Sequence, residues 1–210
     1  MIPVKVLAVR YLANAAESLG RALGAPEGYP SLGFLTTDCD DATYIALDEA
    51  TKAADVVVCY GRSFYAGAGS ASTPNAGEVI GILAGATPGA LKSGMEAAIS
   101  ALGHIGFEEV GGVPYLAHTV SSCGSYLSEL AGVKEGESLA YLIAPPLESM
   151  YAMDFALKAA DVKLCKLFEP PSETNFGGGL LTGSQSACAA ACQAFTEAVG
   201  AVAHRPRENS

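Results

Sequence analysis

Positive charge is scarce in this chain of 210 residues, where 12 Lys and Arg stand against 22 Asp and Glu for a formal charge of −10. A surface so short of cations cannot release the counterions on which nucleic-acid binding depends, so a DNA or RNA partner is excluded. Long hydrophobic runs are missing as well. The most apolar stretch, Val79–Leu91, is broken by Thr87-Pro88-Gly89 and falls short of a bilayer span. Met1–Arg10 leads into no cleavable apolar core, so no signal peptide is expected. These absences predict a soluble intracellular protein with no membrane partner. Zinc motifs are lacking, because no C-x-x-C occurs and His104, His118 and His204 are scattered. The six cysteines (Cys39, Cys59, Cys123, Cys165, Cys188, Cys192) form no disulfide framework in a chain with this much core-forming sequence. Cys188 and Cys192, four apart on an Ala-rich stretch, read as small buried hydrophobes. Gly-x-Ser-x-Gly and the P-loop are absent, and Gly67-Ala68-Gly69 extends to no dinucleotide fingerprint because position 72 is Ser72. No catalytic residue, metal ligand or cofactor is assigned.

What the chain has is apolar mass and a repeat. Half of its residues are hydrophobic and only 16% are charged, which rules out intrinsic disorder. Ala46–Cys59 (ALDEATKAADVVVC) lies over Ala152–Cys165 (AMDFALKAADVKLC) at a spacing of 106, with nine of 14 positions identical. Upstream, Val6–Gly24 resembles Tyr115–Val133, and Glu27-Gly28 with Ser31-Leu32 is echoed by Glu135-Gly136 with Ser138-Leu139. The expectation is two copies of one module, residues 1–105 and 106–205, followed by a solvated tail, 206–210.

Each copy predicts the same order of elements. Strands are expected over Val4–Val9 and Tyr115–Val120, Leu32–Thr36 and Leu139–Ala144, Val56–Tyr60 and Val162–Phe168, and Glu78–Leu83 and Leu180–Thr182. Helices are expected over Asn14–Leu23 and Ser125–Leu130, over Ala42–Ala54 and Leu147–Ala160, and after the start signals Thr87-Pro88 and Thr182–Gln185. This order suits two α+β sandwiches, each a sheet with helices packed on it. Two long Gly-rich segments, Gly61–Ala76 and Glu169–Gly179, read as mobile or ligand-adjacent loops. Asp38-Cys39-Asp40-Asp41 sets three carboxylates in four positions at a strand-to-helix junction. Their mutual repulsion would be relieved by a cation, with Glu78 as a natural partner, whereas helix capping alone needs one acid. The second copy places Ala144-Pro145-Pro146-Leu147 there, so the repeat does not itself demand the acids.

Long phrases in order, SLGFLTTDCDDATYIALDEATKAADV, YGRSFYAGAG, AGEVIGILAG, GSYL, AYLIAPPLE, PPSETNF and LLTGSQSAC, resemble the tandem-domain bacterial microcompartment shell proteins, the L type of ethanolamine utilisation. The resemblance runs over nearly the whole chain and implies a structural, non-enzymatic role. The fold it implies is two circularly permuted, ferredoxin-like shell domains. Three chains would form a pseudohexameric ring that tiles with other shell proteins into a facet. It implies pore-gating loops that include Arg62, Ser63, Phe64 and Tyr65, and Ser172, Glu173 and Thr174. It also implies a small acidic passage for ethanolamine, with Asp40, Asp41 and Glu78 on the ammonium and Phe107 offering a ring face. Asn175, Phe176 and Gly177 would connect that site to the gate. The alternatives are an amine sensor outside any shell and a thiol- or metal-dependent enzyme.

Overall fold

Strand and helix signals alternate along the chain, and the computed structural model, which describes residues 1–64, 77–170 and 175–207, turns them into two antiparallel sheets. The first is built from β1 (Val6–Leu12), β2 (Ser31–Thr37), β3 (Val56–Ser63) and β4 (Val79–Gly85) in the order β1-β2-β4-β3. The second is built from β5 (Glu108–Val110), β6 (Val113–Val120), β7 (Ser138–Ala144), β8 (Val162–Phe168) and β9 (Gly177–Gly183) in the order β5-β6-β7-β9-β8. With β5 set aside the two orders coincide, so the sequence repeat is also a repeat of topology. One irregularity recurs as well: the register shifts at Cys59 in β3 and at Cys165 in β8, the two cysteines that the repeat aligns.

Six helices complete the described residues: α1 (Glu17–Ala22), α2 (Asp40–Ala53), α3 (Pro88–Leu102), α4 (Ser125–Ala131), α5 (Pro146–Ala159) and α6 (Gln185–His204). The expected caps are present, Thr87 Oγ1 accepting from Ala90 N with Pro88 in the first turn and Ser184 Oγ accepting from Ala187 N. The chain divides into two compact units. One comprises Pro3–Gly106 with Gly124–Leu127, the other Met1–Ile2, Phe107–Cys123 and Ser128–Ser210. In the first, the central strands β2 and β4 bury Leu32, Leu35, Ile82 and Leu83, and α2 and α3 bury Ile45, Leu47, Leu91 and Met95. In the second, Leu142, Leu181, Met153, Cys188, Cys192 and Phe195 form one apolar cluster. Helix α6 is long and apolar enough by composition to cross a membrane, yet its apolar stripe packs into this cluster. Cys188 and Cys192 are therefore core residues, as their spacing suggested.

Four expectations change. Helix α1 is shorter than Asn14–Leu23, and the acids of the first copy follow an N-cap at Cys39 instead of supplying the cap. β5 was not expected at all. Its hairpin with β6 turns on Gly111 and Gly112, both at positive φ (58° and 82°), the requirement of a two-residue type I′ turn. Finally, Gly177–Gly179 form the buried start of β9 and are not part of a loop. They are glycines because the neighbouring backbone leaves no room: a Cβ on Gly178 would lie 1.8 Å from Leu142 O.

That crowding separates two kinds of glycine. Gly178→Ala meets both the Leu142 carbonyl and a φ of 151°, and is expected to destabilise the second unit by roughly 3 kcal/mol or more. Gly112→Ala meets only its φ of 82°, with nothing within 4 Å, and is expected to cost about 1 kcal/mol. Differential scanning calorimetry of the two variants checks the ranking; equal losses would refute the steric account.

Candidate functional site

The junction between β2 and α2 is held by two buried hydroxyls. Thr37 Oγ1 and Thr43 Oγ1 lie 2.7 Å apart, and both reach the Cys39 carbonyl, at 2.9 and 2.7 Å. Cys39 N donates back to Thr37 Oγ1 at 3.1 Å. Threonine suits both ends, because it satisfies its β-strand or helical backbone and still bonds locally. This knot fixes where the first turn of α2 begins and hence where its acids point.

Asp40 and Asp41 occupy that first turn, where negative charge suits the helix dipole, and both are almost wholly buried, at 7% and 8% exposure. Asp40 Oδ1 accepts from Asp41 N at 2.9 Å. Its carboxylate also receives the hydroxyl of Ser63, at the end of β3. With the Ser63 proton so committed, Tyr44 is the donor of the 2.5 Å contact between Tyr44 Oη and Ser63 Oγ. Burial pushes the Asp40 carboxyl above the ordinary range, against the pull of its hydrogen bonds. Glu78 is raised too, first by burial and then by the charges of Asp40 and Asp38. The thiol of Cys39 is driven up by burial, with Asp41, Asp40 and Glu78 adding to the effect. The local field is negative, and each group resists the ionisation of its neighbours.

The three acids of the run are not equivalent. Asp38 is tied to the strand entry, its Oδ1 accepting from Lys5 N at 2.7 Å and its own N–H donating to Lys5 O at 3.3 Å. Asp40 and Asp41 are the buried acids of the run, and Glu78 is exposed, with the charges of Asp40 and Asp38 acting on it. The backbone of Glu78 is fixed at both ends, its N–H donating to Thr37 O and its carbonyl accepting from Phe64 N, each at 2.9 Å. Gly77 permits this approach, because a Cβ there would lie 2.0 Å from Thr37 O.

Of the residues expected in gating loops, Arg62 is exposed with its guanidinium 5.5 Å from the Tyr60 ring centre, a cation–π distance. Phe64 is 38% exposed. Tyr65, Ser172, Glu173 and Thr174 lie outside the described residues. Phe107, Asn175, Phe176 and Gly177 belong to the second unit. There Phe107 meets Phe176 edge to face, with ring centres 5.4 Å apart at 71°. Asn175 is the one described non-glycine residue at positive φ, 64°, a conformation asparagine tolerates better than most. Gly177 is buried, with Ser149 Oγ and Phe168 O where a Cβ would go. Sequence reasoning picked Ser63 for a different role and passed over Tyr44 and the Thr37–Thr43 pair. A threonine at each end of an acidic strand-to-helix turn was the available signal.

Among the described residues, no three of His, Cys, Asp and Glu are grouped to hold a metal ion. Burial raises the thiols of Cys59 and Cys192 to about 11, which leaves little thiolate at neutral pH.

The BMC domain family matches residues 31–111. The crystal structure of the ethanolamine utilization protein EutL from Leptotrichia buccalis superposes with a TM-score of 0.95 at 57% identity, covering 99% of this chain and 98% of that one. The microcompartment shell protein EutL of Clostridium perfringens is 56% identical over 98% of this chain and 97% of its own length. That of Salmonella typhimurium is 46% identical over 98% and 96%. An identity this high, sustained end to end on a matching two-sheet fold, means that the chain belongs to the EutL family of bacterial microcompartment shell proteins.

Proposed function

We propose that the chain works as a trimeric tile of the ethanolamine-utilisation microcompartment shell, packing beside other shell proteins. Each chain contributes two modules, residues 1–105 and 106–205. Six modules then surround a central opening gated by the segments that carry Arg62, Ser63, Phe64 and Tyr65, and Ser172, Glu173 and Thr174. Within each subunit a smaller acidic passage admits ethanolamine. Asp40, Asp41 and Glu78 take its ammonium, and Phe107 offers a ring face worth roughly 0.5–2 kcal/mol. Asn175, Phe176 and Gly177 join this passage to the gate, so occupancy biases the opening to the extent that affinity differs between its two states.

One observation carries the amine reading: Asp40 and Asp41 are buried at 7% and 8% exposure beside Glu78, and no ion pair among the described residues reaches Asp40 or Glu78. Carboxylates desolvated and crowded in this way gain most from a small cation that brings its own hydrogen-bond donors. The reading also draws on the Leptotrichia buccalis relative, an ethanolamine utilization protein.

Titration calorimetry with ethanolamine provides the first test. Asp41→Asn and Glu78→Gln should each weaken binding by about tenfold or more, the worth of a charge-assisted hydrogen bond; unchanged affinity in both removes the assignment. A second test uses pH. Asp40 and Glu78 both titrate above the ordinary carboxylate range, while the ammonium stays charged throughout acidic pH. Affinity should therefore be steady near neutrality and fall as pH is lowered, starting above the range where exposed carboxylates protonate, about pH 4. A fall that begins only in the ordinary range would mean that Asp40 and Glu78 are not on the ligand.

A further inference from the structure

One transverse row of the first sheet meets the start of α2 with two hydroxyls. Thr37 of β2 and Ser63 of β3 both stand opposite Val79 of β4. Opposite residues on neighbouring strands project to one face. Thr37 serves the helix start through Cys39. Ser63 serves side chains instead: its Oγ lies 2.5 Å from Tyr44 Oη, and its hydroxyl goes to the Asp40 carboxylate.

The ends of this chain of bonds set its direction. Burial pushes the Tyr44 phenol up, and the charges of Asp40 and Asp41 push the same way, so Tyr44 stays protonated and donates. An ionised carboxylate only accepts. Protons therefore point from Tyr44 to Ser63 to Asp40. The Tyr44 ring is itself held, with the Tyr126 ring 6.1 Å from it. Both tyrosines fill the space over Gly61, where a Cβ would lie 2.8 Å from Tyr126 Oη and 3.4 Å from a Tyr44 ring carbon. Asp48 brings Tyr126 there by accepting from Gly124 N and Leu127 N. All of these residues belong to one compact unit.

The repeat shows that the fold does not need this relay. At the spacing of 106, Asp40, Tyr44 and Ser63 correspond to Pro146, Met150 and Glu169. The second copy builds the matching helix and strand pair without any of the three. Thr43, by contrast, keeps a hydroxyl as Ser149, which donates to Pro146 O at 3.0 Å. A hydroxyl that serves the helix start is present in both copies, whereas the relay accompanies only the copy with the acids.

We propose that Tyr44 and Ser63 are positioning residues of the amine site, a two-hydroxyl relay that holds the Asp40 carboxylate in the orientation that meets an ammonium. This role rests on the amine reading and adds to it the residues that act through Asp40. Around Asp40 the titratable groups are Asp41 and Tyr44 on α2, Asp38 and Cys39 before it, Glu78 ahead of β4, and Tyr126 behind Tyr44. Of the nearby cations, Arg62 on β3 faces the Tyr60 ring, and Lys5 joins the run by backbone bonds to Asp38. The relay thus supports the Asp40 charge with neutral donors and leaves that charge to the ligand.

Titration calorimetry of the full chain with ethanolamine, repeated from about pH 5 to 8, tests the role. Ser63→Ala should weaken binding at neutral pH by roughly three- to tenfold, the worth of one hydrogen bond. It should also begin the acid loss about half a pH unit higher or more, because Asp40 then keeps its charge with one donor fewer. Tyr44→Phe should move both readings the same way by less, and Ser63→Thr should return them towards the parent. In an Asp40→Asn background, Ser63→Ala should add nothing. A merely structural loss would lower affinity equally at every pH and survive that background. Tyr44→Phe carries the test if Ser63→Ala fails to fold by circular dichroism. Folded Ser63→Ala and Tyr44→Phe that match a binding parent in affinity and pH profile overturn the relay and leave the amine reading standing. A Ser63→Ala loss that persists in the Asp40→Asn background overturns it as well. A parent that binds no ethanolamine overturns both.

Discussion

A carboxylate with no access to water organises much of this molecule. Asp48 is fully buried, and such a group is tolerated only when its charge is answered by hydrogen bonds. Two backbone N–H groups, from Gly124 and Leu127, supply the answer, and Lys52 lies 4.0 Å away. Burial still raises its pKa, with these three partners pulling the other way. The arrangement fixes the chain locally. A Cβ on Gly124 would lie 2.2 Å from Thr51 Oγ1, so only glycine lets the backbone come close enough to donate. Residues 124–127 are thereby drawn into the compact unit of α2 although they are distant from it in sequence.

The same economy of buried polar groups prepares the acidic junction. The Thr37–Thr43 knot sets the start of α2, and Tyr44 and Ser63 pass a hydrogen bond on to Asp40. Preorganised donors of this kind keep a carboxylate oriented without neutralising it. Because Ser63 closes β3 immediately before Phe64, the orientation of Asp40 and the anchoring of the segment expected to gate the opening depend on one strand end.

Much of this architecture was legible in the sequence because it is periodic or capped. The KAADV repeat located α2 and α5 and both following strands, and Thr87-Pro88 marked the start of α3. Three things were not legible, each for a physical reason. Gly177–Gly179 looks like a flexible loop until the backbone of Leu142 is seen pressing on it; crowding and freedom both select glycine. The β5 hairpin had its Gly111-Gly112 signal but lies where the two copies diverge. Asp48 and Asp154 are the same residue at the same repeat position, and one is sealed while the other is open. Local sequence cannot separate them, because the difference lies in what covers the helix.

Tandem fusion of the two modules has a chemical consequence of its own. A ring of identical single modules would be forced to carry the same side chain at every equivalent position, so an acid favourable at one would be imposed on all. Joined in one polypeptide, the copies can drift apart: Asp40 and Asp41 follow the strand in the first, Pro146 and Leu147 in the second. Broken symmetry thus lets one polypeptide carry an anionic junction in one copy and an apolar one in the other.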